Sequence, residues 1–157
     1  MKAEQYRVIA RTIILTPERR VVLVTTRRTN AALVLPGGAV DAGESLPQAA
    51  QREAREECGL DVTIDRAIWL LEFYDRKNTQ VNLEVYFLAQ PAPGQQVPER
   101  WLHDDPGQRG LQRSAGLYSR NELASIEMAV YPAELRDAFW IGLERGFGNA
   151  YLGRFEG

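Results

Sequence analysis

The sequence predicts an α/β domain, a mixed sheet covered on both faces by helices. Three observations predict it. Runs rich in Val, Ile and Thr stand on both sides of a central segment, Gly38 to Leu60, that carries its own helix start and stop signals. A second helical spacing recurs near the C-terminus, so strands and helices interleave along the chain. At 157 residues and 45% hydrophobic, the chain is long enough to bury one sizeable core.

The first elements are strands. Tyr6 to Leu15 and Arg20 to Thr26 are β-branched runs separated by Thr16-Pro17-Glu18-Arg19, a turn with proline well placed, and the pair reads as a hairpin. Leu35-Pro36-Gly37-Gly38 then ends an apolar run, and its glycines let backbone groups approach a ligand closely. Ser45 and Gln48 form a capping box, Pro47 has no donor to lose in the first turn, and Gly59 supplies a left-handed stop, so a helix is expected between them. Ala49, Ala50 and Ala54 give it a strip of small residues for close packing.

Further strands are expected over Val62 to Tyr74 and Val81 to Ala89, broken by the polar stretch Asp75 to Thr79. Trp69 and Tyr74 in the first of these read either as core residues or as rings that stack on a base. From Pro132 to Phe147 the spacing of Leu135, Ala138, Phe139, Gly142, Leu143 and Phe147 predicts one amphipathic helix with Pro132 in its first turn. Between these elements, the segment 91–116 holds four prolines and several glycines and is read as a long loop, a lid or specificity segment containing Trp101, His103, Asp104 and Asp105. No internal repeat or domain boundary is evident, and 1–157 reads as a single domain.

The chemistry concentrates in the central helix. Glu53, Glu56 and Glu57 fall on nearly one face. Two like charges about 4 Å apart repel by roughly 4 kcal/mol at an effective dielectric near 20, so the trio must splay into water, take up a proton, or hold a hard divalent cation. Arg52 can pair with Glu53 and Glu56 along the helix, and Glu44 can reach back to fix that guanidinium.

The segment Gly38 to Leu60 resembles the Nudix box: glycine, five residues, Glu, seven residues, Arg-Glu, an aliphatic residue, any residue, Glu-Glu, any residue, Gly and an aliphatic residue. Gly38, Glu44, Arg52, Glu53, Ala54, Glu56, Glu57, Gly59 and Leu60 occupy the matching positions, with no departure at an acidic or basic one. The resemblance to Nudix (MutT-like) hydrolases implies an α/β/α sandwich. It further implies Mg²⁺- or Mn²⁺-dependent hydrolysis of the diphosphate linkage in a nucleoside triphosphate, nucleotide sugar or dinucleoside polyphosphate. By the same correspondence Glu53 and Glu57 are the principal metal ligands, with Gly38 near the metal. Glu56 is a shared ligand or the general base, Arg52 orients the carboxylates, and Glu44 and Gly37 give structural support. In some members a downstream acid completes the metal shell.

Substrate contacts are expected from Arg27 and Arg28, which could meet phosphates or simply stand at a strand end, and from Tyr74. Tyr74 lies near the place of a tyrosine that marks diadenosine polyphosphate hydrolases, whereas the proline that marks ADP-ribose pyrophosphatases is absent. A nucleotide-sensing module without turnover is the alternative, although such regulators usually carry a damaged box or an added DNA-binding domain.

Charge and composition narrow the classes. A net charge of -2 gives no electrostatic case for nucleic acid or a membrane surface, and no apolar run approaches the length of a membrane span. With one cysteine, Cys58, no internal disulfide forms, and a cytoplasmic monomer or homodimer acting on a small nucleotide-type substrate is expected. Cys58 reads as a packed thiol, and His103 alone makes no zinc site.

Overall fold

The computed structural model describes residues 4–25, 32–108, 110 and 112–157. In chain order the elements are β1 (Gln5–Ile14), β2 (Arg20–Thr25), β3 (Leu33–Val34), β4 (Gly37–Ala39), α1 (Leu46–Cys58), β5 (Val62–Asp75) and β6 (Gln80–Pro91). There follow β7 (Arg100–Asp104), β8 (Gln112–Ser119), α2 (Arg120–Ser125), β9 (Val130–Tyr131), a 3₁₀ turn (Ala133–Arg136), α3 (Ala138–Arg145) and β10 (Tyr151–Glu156). The strands form two five-stranded sheets, ordered β10-β5-β6-β1-β4 and β7-β8-β2-β3-β9. Both are mixed: β1 runs parallel to β6, β10 to β5 and β3 to β9, while the other pairs are antiparallel.

Strands β1 and β2 are apolar on both sides because helices cover both faces. Val21 and Leu23 enter one core cluster with Trp69 of β5 and with Leu135, Phe139 and Trp140 from the C-terminal helical region. Val22 and Val24 point the other way, into a cluster with Ala54 and Cys58 of α1. The alternation of a strand with period two thus feeds two cores at once. Ala49, Ala50 and Ala54 are fully buried, and the Thr12 hydroxyl donates to the Ala50 carbonyl at 3.1 Å, so α1 lies close against β1 as its small residues require. Its start and stop match the sequence signals: Ser45 and Gln48 cap each other reciprocally, and Gly59 adopts φ 71°.

Three expectations are corrected. β1 and β2 are joined by the turn but, among the described residues, do not form a hairpin ladder and meet at the isolated bridge Leu15–Val21. Each is an interior strand of a different sheet, with hydrogen-bonded neighbours on both edges that satisfy its buried backbone groups. The segment 91–116 is not one long loop: β7 and the start of β8 lie within it, paired from Arg100–Gly116 to Asp104–Gln112. Its prolines fall outside the β7–β8 ladder, and Pro91 closes β6 at the strand's end opposite Val62. The helix expected over Pro132 to Phe147 is split, since Asp137 breaks from helical geometry with φ -147° between the 3₁₀ turn and α3. Pro132 stands just before that turn.

Candidate active site

The glycine turn and helix α1 are brought together by their own backbone chemistry. Gly37 and Gly38 lie in β4, paired antiparallel to β1 at Arg11 and Ala10. The Gly37 N–H donates to Glu57 Oε2 at 3.1 Å, which fixes the far end of the acidic face against the turn. A Cβ on Gly38 would stand 2.4 Å from Glu53 Oε1, so only glycine lets the Glu53 carboxylate lie on this backbone.

Arg52 binds the near end of that face. Its Nε and Nη2 donate to Glu44 at 2.7 and 3.0 Å, Nη1 donates to Glu53 at 2.8 Å and to Glu56 at 3.1 Å, and Nη2 also reaches the Ala39 carbonyl at 2.9 Å. The reach of Glu44 to Arg52 and the helical pair Arg52–Glu56 are both present. Charge crowding is therefore relieved here by guanidinium groups. Among the described residues, no three His, Cys, Asp or Glu side chains stand in a ligating arrangement as placed.

Two further residues complete the cluster, and both come from the segment read as a loop. The Trp101 indole N–H donates to the Cys58 carbonyl at 2.9 Å, and the His103 ring packs over Gly59, so β7 is seated on the C-terminal end of α1. Alternation along an extended strand places Trp101, His103 and then Asp105 on the same side. Asp105 is buried, its carboxylate accepting the Gly107 N–H at 2.9 Å. On the return strand Arg113 stands directly across from His103 and therefore shares its face. Arg113 Nη2 lies 3.5 Å from Glu57 Oε1, and its Nε lies 3.6 Å from Asp105 Oδ2.

These groups line one pocket of about 490 Å³, with Glu53, Glu56, Glu57 and Asp105 facing Arg7, Arg11 and Arg113 around the turn at Gly37 and Gly38. A larger cleft of about 890 Å³ lies between the Leu15–Arg20 turn and Pro91–Val97, but it gathers no set of carboxylates and is set aside. Burial pushes the Glu57 carboxyl up to about 7, against the pull of Arg113 and of the Gly37 N–H. Burial also raises Glu53, opposed by Arg52. An anionic Glu57 is thus expensive in this protein unless more positive charge arrives.

Of the residues named from the sequence, Gly37, Gly38, Glu53, Glu56 and Glu57 line the pocket, and Arg52, held by Glu44, is hydrogen-bonded to Glu53 and Glu56 of that lining. The pocket does not include Tyr74, whose ring on β5 is covered by the Arg154 guanidinium at 5.1 Å because parallel β10 lies alongside. Arg27 and Arg28 lie outside the described residues. Trp69 is core, edge-on to Tyr86, Phe139 and Phe147. Burial, and then Glu57, pushes the Cys58 thiol up, as suits a packed side chain. Asp105 is one of the acids that the sequence offers in the segment 91–116 without a motif to choose among them, whereas Arg7, Arg11 and Arg113 carry no sequence expectation. The alternation Trp101, His103, Asp105 opposite Arg113 and Ala115 was the available signal.

The family model described as NUDIX domain matches residues 5–139. Solved structures share the fold at low identity. A NUDIX hydrolase from Nitrosomonas europaea is 18% identical with TM-score 0.68, over 99% of this chain and 82% of that one. An ADP-ribose pyrophosphatase from Streptococcus suis 89-1591 is 22% identical with TM-score 0.58, over 95% and 98%. A MutT protein from Methanosarcina mazei Go1 is 17% identical with TM-score 0.63, over 94% and 100%. No curated protein matches the chain significantly. No helix among the described residues is long and apolar enough to cross a membrane.

Proposed function

Because the chain belongs to the Nudix family, we propose that it hydrolyses the diphosphate linkage of a nucleoside-diphosphate-linked substrate with a divalent cation, Mg²⁺ or Mn²⁺. One observation carries this reading: five carboxylates and three arginines line a single pocket at the glycine turn, groups of both signs for a cation and for phosphates. The donor chemistry fits a hard cation. All five acids are oxygen donors, two of them, Glu57 and Asp105, buried, and burial already works against a charged Glu57.

Glu53, Glu56 and Glu57 would hold the ion, with Gly38 near it and Asp105 as the downstream acid. Bound there, a dication neutralises phosphate oxygens and acidifies a water. The chain's own groups do the rest. Arg52, anchored by Glu44, orients Glu53 and Glu56, and Glu56, the most exposed of the three box acids, serves as shared ligand or as proton acceptor. The Gly37 N–H holds Glu57 in place. Arg7 lines the same pocket and supplies positive charge for the phosphate chain, while the Arg11 guanidinium is committed to Glu84.

The substrate is proposed only as a class. The Streptococcus suis neighbour is named an ADP-ribose pyrophosphatase, which places ADP-ribose among the compounds to test. The test is a screen of nucleoside triphosphates, nucleotide sugars, dinucleoside polyphosphates and ADP-ribose with Mn²⁺, reading products by mass. Cleavage between two phosphates supports the proposal. Nucleotide binding with no product over long incubation favours the sensing module instead.

Metal binding has its own readout. A ligand that binds only the folded state at about 100 times its Kd adds about 2.7 kcal/mol, so saturating Mn²⁺ should raise the thermal midpoint by about 5–10 °C. Differential scanning calorimetry with and without Mn²⁺ measures it, and an unmoved midpoint argues against the site.

A further inference from the structure

The two arginines that neutralise the acid cluster are held in different ways. Arg52 makes five hydrogen bonds, to Glu44, Glu53, Glu56 and the Ala39 carbonyl, all between 2.7 and 3.1 Å. Arg113 stands over the other end, between Glu57 and Asp105, at 3.5 and 3.6 Å. Among the described residues its side chain makes no hydrogen bond, and its buried Nε has no partner. A guanidinium has five donors, and leaving one buried and unpaired is unfavourable. Arg52 is a fixed part of the scaffold, whereas Arg113 supplies charge without the bonds that would lock it.

The place it fills is the one that the proposed cation needs. Glu57 and Asp105 are the two most buried acids of the pocket, and Arg113 bridges them along its Nε/Nη2 edge, at 3.6 Å from Asp105 and 3.5 Å from Glu57. A guanidinium and a dication cannot both sit between these carboxylates. Arg113 also lines the pocket itself, so a short rotation of its long side chain leaves it beside any bound phosphate.

We propose that Arg113 is a displaceable counter-ion: it holds Glu57 and Asp105 in the metal-free protein, gives way when a divalent cation binds, and then grips a phosphate of the substrate. The inference rests on the metal-dependent reading above. It assigns to one residue two opposed effects, competition with the cation and attraction of the anionic substrate, which an arginine of merely structural role would not combine.

The test uses the full chain without substrate first. Mn²⁺ titration followed by the electron spin resonance of the free ion gives the metal Kd at fixed pH. R113Q, which keeps length and loses charge, should bind Mn²⁺ roughly 5- to 100-fold tighter than the unsubstituted protein. The same variant should lose about tenfold or more in kcat/KM, mainly through KM, once a substrate is in hand. R113K, keeping charge but not the planar fork, should fall between in metal affinity. A direct readout is the Nε–H resonance of Arg113, assigned by comparison with R113K, which should move when Mg²⁺ is added to the unsubstituted protein.

Metal affinity unchanged or weakened in R113Q, or an Nε–H signal indifferent to Mg²⁺ in a protein that does bind Mn²⁺, would overturn the exchange and leave the proposed hydrolase standing. An unsubstituted protein that binds no Mn²⁺ would overturn both.

Discussion

Replacing Glu57 by Gln should lower hydrolysis by roughly 10³-fold with Mn²⁺ present, the equivalent of about 4 kcal/mol of transition-state stabilisation. The substitution is chosen because it separates charge from shape. Gln retains an oxygen that can accept the Gly37 N–H now bonded to Glu57 at 3.1 Å, so the glycine turn should stay seated on α1. What it removes is the negative charge at the deepest of the three box positions. Burial pushes that carboxyl up to about 7, so the neutral replacement is not expected to destabilise the metal-free fold. The decisive pattern is a collapse of turnover, and of the Mn²⁺-induced rise in thermal midpoint, with the metal-free midpoint preserved. Turnover equal to that of the unsubstituted protein, in a preparation free of contaminating hydrolase, would remove Glu57 from the mechanism.

The distribution of what could be foreseen follows from how far apart the interacting residues lie in the chain. Helix α1 was legible to within a residue, since a capping box and a left-handed glycine act over a few positions. Glu44 and Arg52 were legible as partners for the same reason, being eight residues apart. The separation of β1 and β2 into different sheets was not, because their connecting turn favours a hairpin and the strands that pair with each instead, β6 and β4 with β1, β8 and β3 with β2, lie elsewhere in the chain. Asp105 and Arg113 were hidden by the local composition around them. Proline and glycine near β7 suppress any strand signal, and what makes a strand there is the seating of Trp101 on the carbonyl of Cys58, a contact 43 residues distant. Tyr74 reads as a ring available for stacking until β10, from the far C-terminus, places Arg154 over it.

A second large effect is expected beneath the glycine turn, where Arg11, Glu84 and Tyr86 form a network that no local pattern announces. Arg11 Nη2 donates to Glu84 Oε1 at 3.1 Å, the Tyr86 hydroxyl donates to the other Glu84 oxygen, and Arg11 Nη1 reaches the carbonyls of Leu35 at 3.3 Å and Gly37 at 3.5 Å. Glu84 and Tyr86 are buried, and Glu84 is the counter-charge in direct contact with the guanidinium. E84L should therefore destabilise the protein by roughly 3–5 kcal/mol, lowering the thermal midpoint by about 10 °C or more, because it strands a charge and leaves the tyrosine donor without its acceptor. R11M/E84L removes both charges and fills the space with apolar atoms, so most of that loss should be recovered. Activity should not recover with it. Without Arg11 nothing clasps the Leu35 and Gly37 carbonyls, and the Gly37 N–H that fixes Glu57 loses its support from below. Denaturant unfolding and steady-state kinetics on the three proteins check both halves. A double variant as unstable as E84L would show that the stranded charge is not the cause, and one restored in stability and turnover alike would show that the network does not position the turn.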